Sequence, residues 1–189
     1  MADFLTYSAD YLKKVSVIND NTDNKILTPT ILLVQDMYLK PLLGTDLFNE
    51  VKEQIIAGTV NADNQTLLDE YILNIVHYYV LYEATPLFKY KYMNRGIMVN
   101  NAENSTSADL TEVKFMMDNW KNKAEWFSER MIKFIKRVNG NDPTKYTKYR
   151  ENYDCDDIKP IETDYKTSIY LGDTDLTEKE LYNIRRGNY

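Results

Sequence analysis

The residues best able to do chemistry in this 189-residue chain are its single histidine and single cysteine. His77 would act as a base or metal ligand only with partners at suitable spacing. It lies among apolar residues, with Asp69 and Glu70 a turn or two away, and reads as a core histidine. Cys155 stands between Asp154 and Asp156 in the run Tyr153-Asp154-Cys155-Asp156-Asp157. Neighbouring carboxylates raise a thiol pKa and disfavour the thiolate, so no nucleophile is expected there. The acidic groups Asp154, Asp156, Asp157 and Asp173, Asp175 offer oxygen ligands of the kind Ca²⁺ takes. Neither has the central glycine and terminal glutamate of an EF-hand loop, and both read as solvated loops. Glu50 and Glu53 fall on a surface-type helix face. Walker-type, dinucleotide-binding, His-Glu-x-x-His and Gly-x-Ser-x-Gly patterns do not occur in the sequence. The expectation is a non-enzyme with no catalytic, metal or cofactor residues.

One stretch, QDMYLKPLLGTDLF at 35–48, has the look of a ligand loop, with Gly44, Thr45 and Asp46 in succession. It lacks the lysine a phosphate would require and carries an aspartate instead. It reads better as a corner. Pro41 removes a backbone donor, Gly44 ends the helix in a left-handed conformation, and Thr45 caps the next helix. Leu42, Leu43 and Leu47 pin the turn to the core.

The elements around these residues follow from periodicity. Residues 1–27 read as an N-terminal arm with a short, loosely held helix near 4–14. Thr28 and Pro29 suit the start of a helix whose face is Ile31, Val34 and Tyr38. A second helix carries Leu47, Val51 and Ile55 and stops near Gly58. After a polar turn at 61–66, a central helix from Leu67 to about Ala84 is apolar nearly all round, as in the middle of a bundle. Pro86 ends or kinks it. Within the polar stretch 94–108, residues 96–99 could form a short strand. Asp109 with Glu112 makes a capping pair for a helix over 109–138. Its residues Val113, Met117, Trp120, Ala124, Phe127, Met131, Phe134 and Val138 form an unbroken heptad seam. At about 1.5 Å per residue that helix is roughly 45 Å long. Arg130, Lys133, Lys136 and Arg137 gather at its end, where positive charge offsets the helix dipole. Gly140 and Pro143 stop it.

Thus the expected fold is all-α: a compact bundle of four to five helices over 28–138, one of them long and C-terminal, followed by an extended, partly irregular tail over 139–189. Thr167 to Leu171 is a candidate strand in the tail. Thr177 and Glu180 make a capping box for a short helix.

A net charge of −6 argues against a nonspecific grip on nucleic acid as the main task. One cysteine allows no disulfide within the chain and suits a reducing compartment. The N-terminal residues lack an apolar run of signal-peptide length, and residues 71–88 are too interrupted to cross a bilayer. Sixteen tyrosines are unusual, and seven of them lie beyond residue 138. Tyrosine is enriched at protein interfaces, which marks contact surface.

Two segments, QDMYLKPLLGTDLF at 35–48 and the run from YYVLYEATPLFKYKYMNRGI at 78–97 through ADLTEVKFMMDNWKNKAEWFSERMIKFI at 108–135, resemble the head-to-tail connector, or head completion, proteins of tailed bacteriophages. The version in crAss-like phages is the most similar. The resemblance covers about 28–138. It implies a structural virion protein of the neck, assembled in the bacterial cytoplasm. Copies would form a ring, twelve-fold by expectation, beneath the portal protein. The ring would extend the DNA channel and seat the next neck or tail protein, with packaged DNA passing through without sequence-specific binding. Neither catalytic residues nor a membrane is implied.

Contact surfaces for such a ring are expected in three places: Tyr146, Tyr149 and Tyr153 at the start of the tail; Tyr165, Ile169, Tyr170, Leu171 and Tyr182 further along it; and Ile97, Met98 and Val99 in the polar loop. An acidic balance also suits a channel through which DNA slides. The contrasting expectation is a small helical regulatory or nucleic-acid-binding domain, monomeric or dimeric through its heptad seam.

Overall fold

A computed structural model describes residues 8–94, 96–99, 109–149 and 158–161. Its architecture is all-α, with one long C-terminal helix. Helix α1 (Ala9–Val15) is capped by Ser8, whose hydroxyl accepts from the Tyr11 amide. Helix α2 (Asn24–Val34) starts four residues before the Thr28-Pro29 pair, because Asp23 accepts from the Lys25 amide and caps it first. Pro29 therefore sits inside the helix. After α2 come a π-helical turn (Gln35–Leu39) and α3 (Lys40–Leu43), which together make one continuous rod. The π turn slips the pairing so that the Lys40 amide reaches the Gln35 carbonyl, directly before the residue that has no amide to give, Pro41.

Helix α4 (Thr45–Ala57) ends at Gly58, which takes a left-handed φ of 68°. Helix α5 (Ala62–Leu67), a second π turn (Leu68–Ile72) and α6 (Leu73–Lys89) form another rod. Residues 61–66 are thus no turn: Asn61 caps a helix by accepting from the Asn64 amide at 2.7 Å. The buried Asn64 side chain donates to Glu50 and Gln54 on α4 at 3.0 and 2.9 Å, which ties the two helices together. Pro86 does not stop α6 at once. The helix runs one further turn to Lys89 and then gives way to an antiparallel hairpin, β1 (Tyr90–Met93) with β2 (Gly96–Val99).

Helix α7 (Leu110–Asn141) opens on the expected capping box. The Asp109 carboxylate accepts from backbone amides of the first turn, and Glu112 accepts from the Asp109 amide at 2.9 Å. Those amides hold the Asp109 carboxyl below its usual pKa. The helix continues through Gly140, where a stop was expected, and ends at Asn141.

The core is one cluster with α6 between α2 and α7. Val113, Ala124 and Met131 of the heptad seam are buried, and the other members are half-buried. In the second half of α7 the buried line also takes in Ser128, Ile132 and Ile135, one position later. A seven-residue repeat on a 3.6-residue helix drifts about 20° per heptad, so a straight helix brings the next position into contact.

Two boundaries differ from the expected ones. Leu12, Ile18 and Leu27 belong to the same core cluster as α6, so residues 9–27 are part of the bundle, not a loose arm. At the other end, Tyr146 is 7% exposed, so the bundle continues past Val138.

Candidate interaction surfaces

The described tyrosines serve the interior as much as the surface. Tyr38, in the first π turn, stacks on Tyr79 at 4.1 Å and donates to Glu83 at 2.5 Å. Tyr78 stacks on Trp120 and Phe127 of α7, and Tyr71 stacks on Phe134 at 4.8 Å. Tyr146 follows the same pattern. Its ring meets Phe134 edge-on, and its hydroxyl donates to the Asp63 carbonyl at 2.8 Å. Beside it Lys145 pairs with the Asp63 carboxylate at 2.7 Å, and the Asn139 side chain donates to the Lys145 carbonyl. Tyr146 holds a φ of 50°, rare for a bulky residue, and these contacts fix it there. Tyr146 is consequently a core residue, and Tyr149 packs partly buried against the same cluster. As a free contact point for a partner Tyr146 is corrected, because its surface is used within its own chain.

The π turn and the tail junction set a pH dependence. Burial, and then the bond to Glu83, raise the Tyr38 pKa well above the ordinary phenol value of 10.0. Burial, and then the charge of Asp63, push Tyr146 up to about 12. The folded chain therefore keeps protons that the unfolded chain releases near pH 10. Their contribution to stability is complete below pH 10 and is lost as pH rises toward about 12. Urea midpoints should be level through pH 9 and fall from about pH 10. Tyr146→Phe should flatten that fall, and equal slopes in wild type, Tyr146→Phe and Tyr38→Phe would contradict this assignment.

His77 is half-buried and not in the core proper. It lines a cleft of about 310 Å³ with Tyr11, Val15, Asp69 and Asn74. Burial lowers its pKa, so it stays neutral to lower pH than a free histidine. Asp69 accepts from Gln65 at 2.7 Å. Among the described residues no group of three potential metal ligands occurs, and no helix is long and apolar enough to cross a membrane. Cys155, Asp154, Asp156, Asp157, Asp173 and Asp175 lie outside the described residues. So do Tyr153, Tyr165, Ile169, Tyr170, Leu171 and Tyr182, the Thr167 to Leu171 strand, and the Thr177-Glu180 capping box. Ile97, Met98 and Val99 lie on β2, which pairs with β1.

The basic end of α7 is a true surface feature. Tyr71, Arg130, Lys133, Phe134 and Arg137 line a shallow depression. The Arg130 guanidinium lies 5.4 Å from the Tyr71 ring and 5.5 Å from the Trp126 ring. The Lys133–Glu129 pair nearby is exposed and contributes little.

Large apolar side chains are exposed on the two helices that flank α6. Leu33 and Met37 lie one turn apart on α2 and the π turn, with Met37 54% exposed. Leu110, Phe115 and Met116 lie on the first turns of α7, with Phe115 71% exposed, and Val17 is 76% exposed. Val17 and Met116 border one groove, together with Phe88 and Trp120.

The corner at 40–45 holds the feature the sequence did not reveal. Gly44 has φ 77° and ψ 160°, an extended backbone on the positive-φ side and not the left-handed helical region. Thr45 does not cap α4. It is the first helical residue, and its amide donates to the Ile158 carbonyl at 3.0 Å, while its hydroxyl accepts from the Ile158 amide at 2.8 Å. The Ile161 amide donates to the Pro41 carbonyl at 2.9 Å. A Cβ on Gly44 would stand 2.8 Å from the Pro160 ring. The signal in sequence is Ile-Lys-Pro-Ile, a Lys-Pro pair between two large apolar residues.

These features define a helical bundle with a corner clasped by its own C-terminal segment. The chain belongs to a family of unknown function (DUF6712), whose model matches residues 39–159, well over half of its length. That match begins at the corner and ends within the clasping segment. No curated protein and no solved structure matches the chain.

Proposed function

We propose that this protein is a structural adaptor of a tailed-phage virion, forming a ring at the head-tail junction beneath the portal and seating the next neck or tail protein. The observation that carries the reading is the pair of exposed apolar sets on the two helices flanking α6. A cyclic ring is built from heterologous contacts, in which one face of a subunit meets a different face of the next. Leu33 and Met37 supply one such face, and Phe115, Met116 and Val17 supply the other. Val17 and Met116 border one groove, and contiguous exposed apolar surface marks protein contact sites. The two segments that resemble connector proteins also fall on the parts that shape the subunit, the corner at 40–45 and the α6–α7 pair. Packaged DNA would pass the ring without sequence-specific binding. Negative-stain imaging of the chain mixed with the portal protein of the same genome should show closed rings of copies on the portal.

A second reading, a small nucleic-acid-binding domain, is favoured by one feature, the aromatic-backed basic row Arg130, Lys133 and Arg137. Retention on DNA at moderate salt by a monomer or dimer would support it.

A further inference from the structure

We infer that the corner at residues 40–45 is a peptide-docking site, and that in the assembled ring its occupant is the 158–161 segment of a second copy of this chain. The involvement of a neighbour rests on the ring reading; the docking itself does not. The site recognises an extended peptide almost entirely through backbone. Thr45 exchanges two bonds with Ile158, one from its amide and one to its hydroxyl, and the Pro41 carbonyl takes the Ile161 amide. Helix α4 begins with no side-chain cap, so the docked Ile158 carbonyl satisfies an amide that would otherwise face water or nothing. The absence of a side chain at Gly44 makes the seat for the Pro160 ring. Backbone pairing for affinity with one side-chain seat for specificity is how added peptide segments are commonly recognised.

The same bonds form whether the segment comes from its own chain or from the next. Ile158 and Ile161 are 37% and 48% exposed, so neither anchors the segment deeply in its own core. Eight residues separate Tyr149 from Ile158. Fully extended, that tether reaches about 30 Å, comparable with the width of a bundle this size. Exchange of an identical element between protomers is a low-cost route to assembly, and a cyclic ring leaves no site and no segment unfilled. The neighbour's segment competes through its high local concentration once the ring has formed.

The test places a benzophenone photo-crosslinker at Ile161 in the full chain, in an equal mixture of isotopically light and heavy protein. Irradiation should join residue 161 to the 40–45 peptide. Dilute chain alone should give only like-isotope pairs. Chain assembled on the portal protein should give light–heavy pairs as often as like pairs. Pro160→Ala, which leaves the Gly44 backbone untouched, should lower the yield several-fold in both samples. Like-isotope pairs alone in a sample that native mass shows to be a ring would overturn the exchange and leave the ring standing. A sample without rings on the portal would overturn the ring reading and the exchange together. Crosslinks to any region other than 40–45 would overturn the docking site.

Discussion

Gly44→Ala should destabilise the fold and free the clasping segment in one step. At φ 77° and ψ 160° Gly44 occupies a region that is essentially closed to residues with a Cβ. Forcing alanine into it should cost about 1–3 kcal/mol of backbone strain. The new methyl would also stand 2.8 Å from the Pro160 ring, so the segment must withdraw, giving up its bonds to Thr45 and Pro41. Each bond contributes about 0.5–1.5 kcal/mol net, so the total loss should be about 3 kcal/mol or more. Pro160→Ala separates the two effects, because it loosens the segment without touching the Gly44 backbone. In urea denaturation, Gly44→Ala should fall well below Pro160→Ala, and the double variant should fall little below Gly44→Ala alone. Full additivity would mean that residue 44 and the segment do not meet.

The second large effect concerns where the tail begins. A chain ended after Val138 loses Tyr146, whose ring is buried against Phe134 and whose hydroxyl bonds to the Asp63 carbonyl. It also loses the Lys145–Asp63 pair, which is half exposed and adds little. Loss of a buried aromatic of this size should cost about 3 kcal/mol or more. A chain ended after Ile161 retains all of these contacts and should unfold at a clearly higher urea midpoint than the chain ended after Val138. Tyr146→Ala in the full chain should reproduce most of the loss seen on ending at Val138. If both shortened chains matched wild type, the junction would not be part of the core. This distinction matters for function: only a chain that keeps residues 139–149 can test the tail's role in attachment without weakening the bundle.

Legibility in the sequence tracked the range of the interactions involved. The long helix is plain, because its capping box is local and its heptad seam repeats over three heptads and more. The corner is legible as a corner for the same reason, since proline, glycine and the leucines act on their own neighbourhood. Its clasp is not legible there, because the Thr45–Ile158 bonds join residues 113 positions apart and no periodic pattern announces them. Tyr146 misled in a similar way. A tyrosine in a polar segment reads as surface, and only the carbonyl of Asp63 across the fold shows that it is core. The helix start at Thr28-Pro29 failed through competition between two adequate caps, and Asp23 acts first. His77 sits at a rim because Tyr11 and Val15 of α1 line the same cleft, and no local pattern places α1 there.

On the proposed function, copies of this chain close into a ring on the portal. Native mass spectrometry of the full-length chain, alone and mixed with the portal protein of the same genome, tests it most directly. The expected result is a complex whose mass corresponds to the portal plus one closed set of copies, twelve on the connector resemblance. A chain that stays monomeric or dimeric in both samples and leaves the portal unoccupied would contradict it.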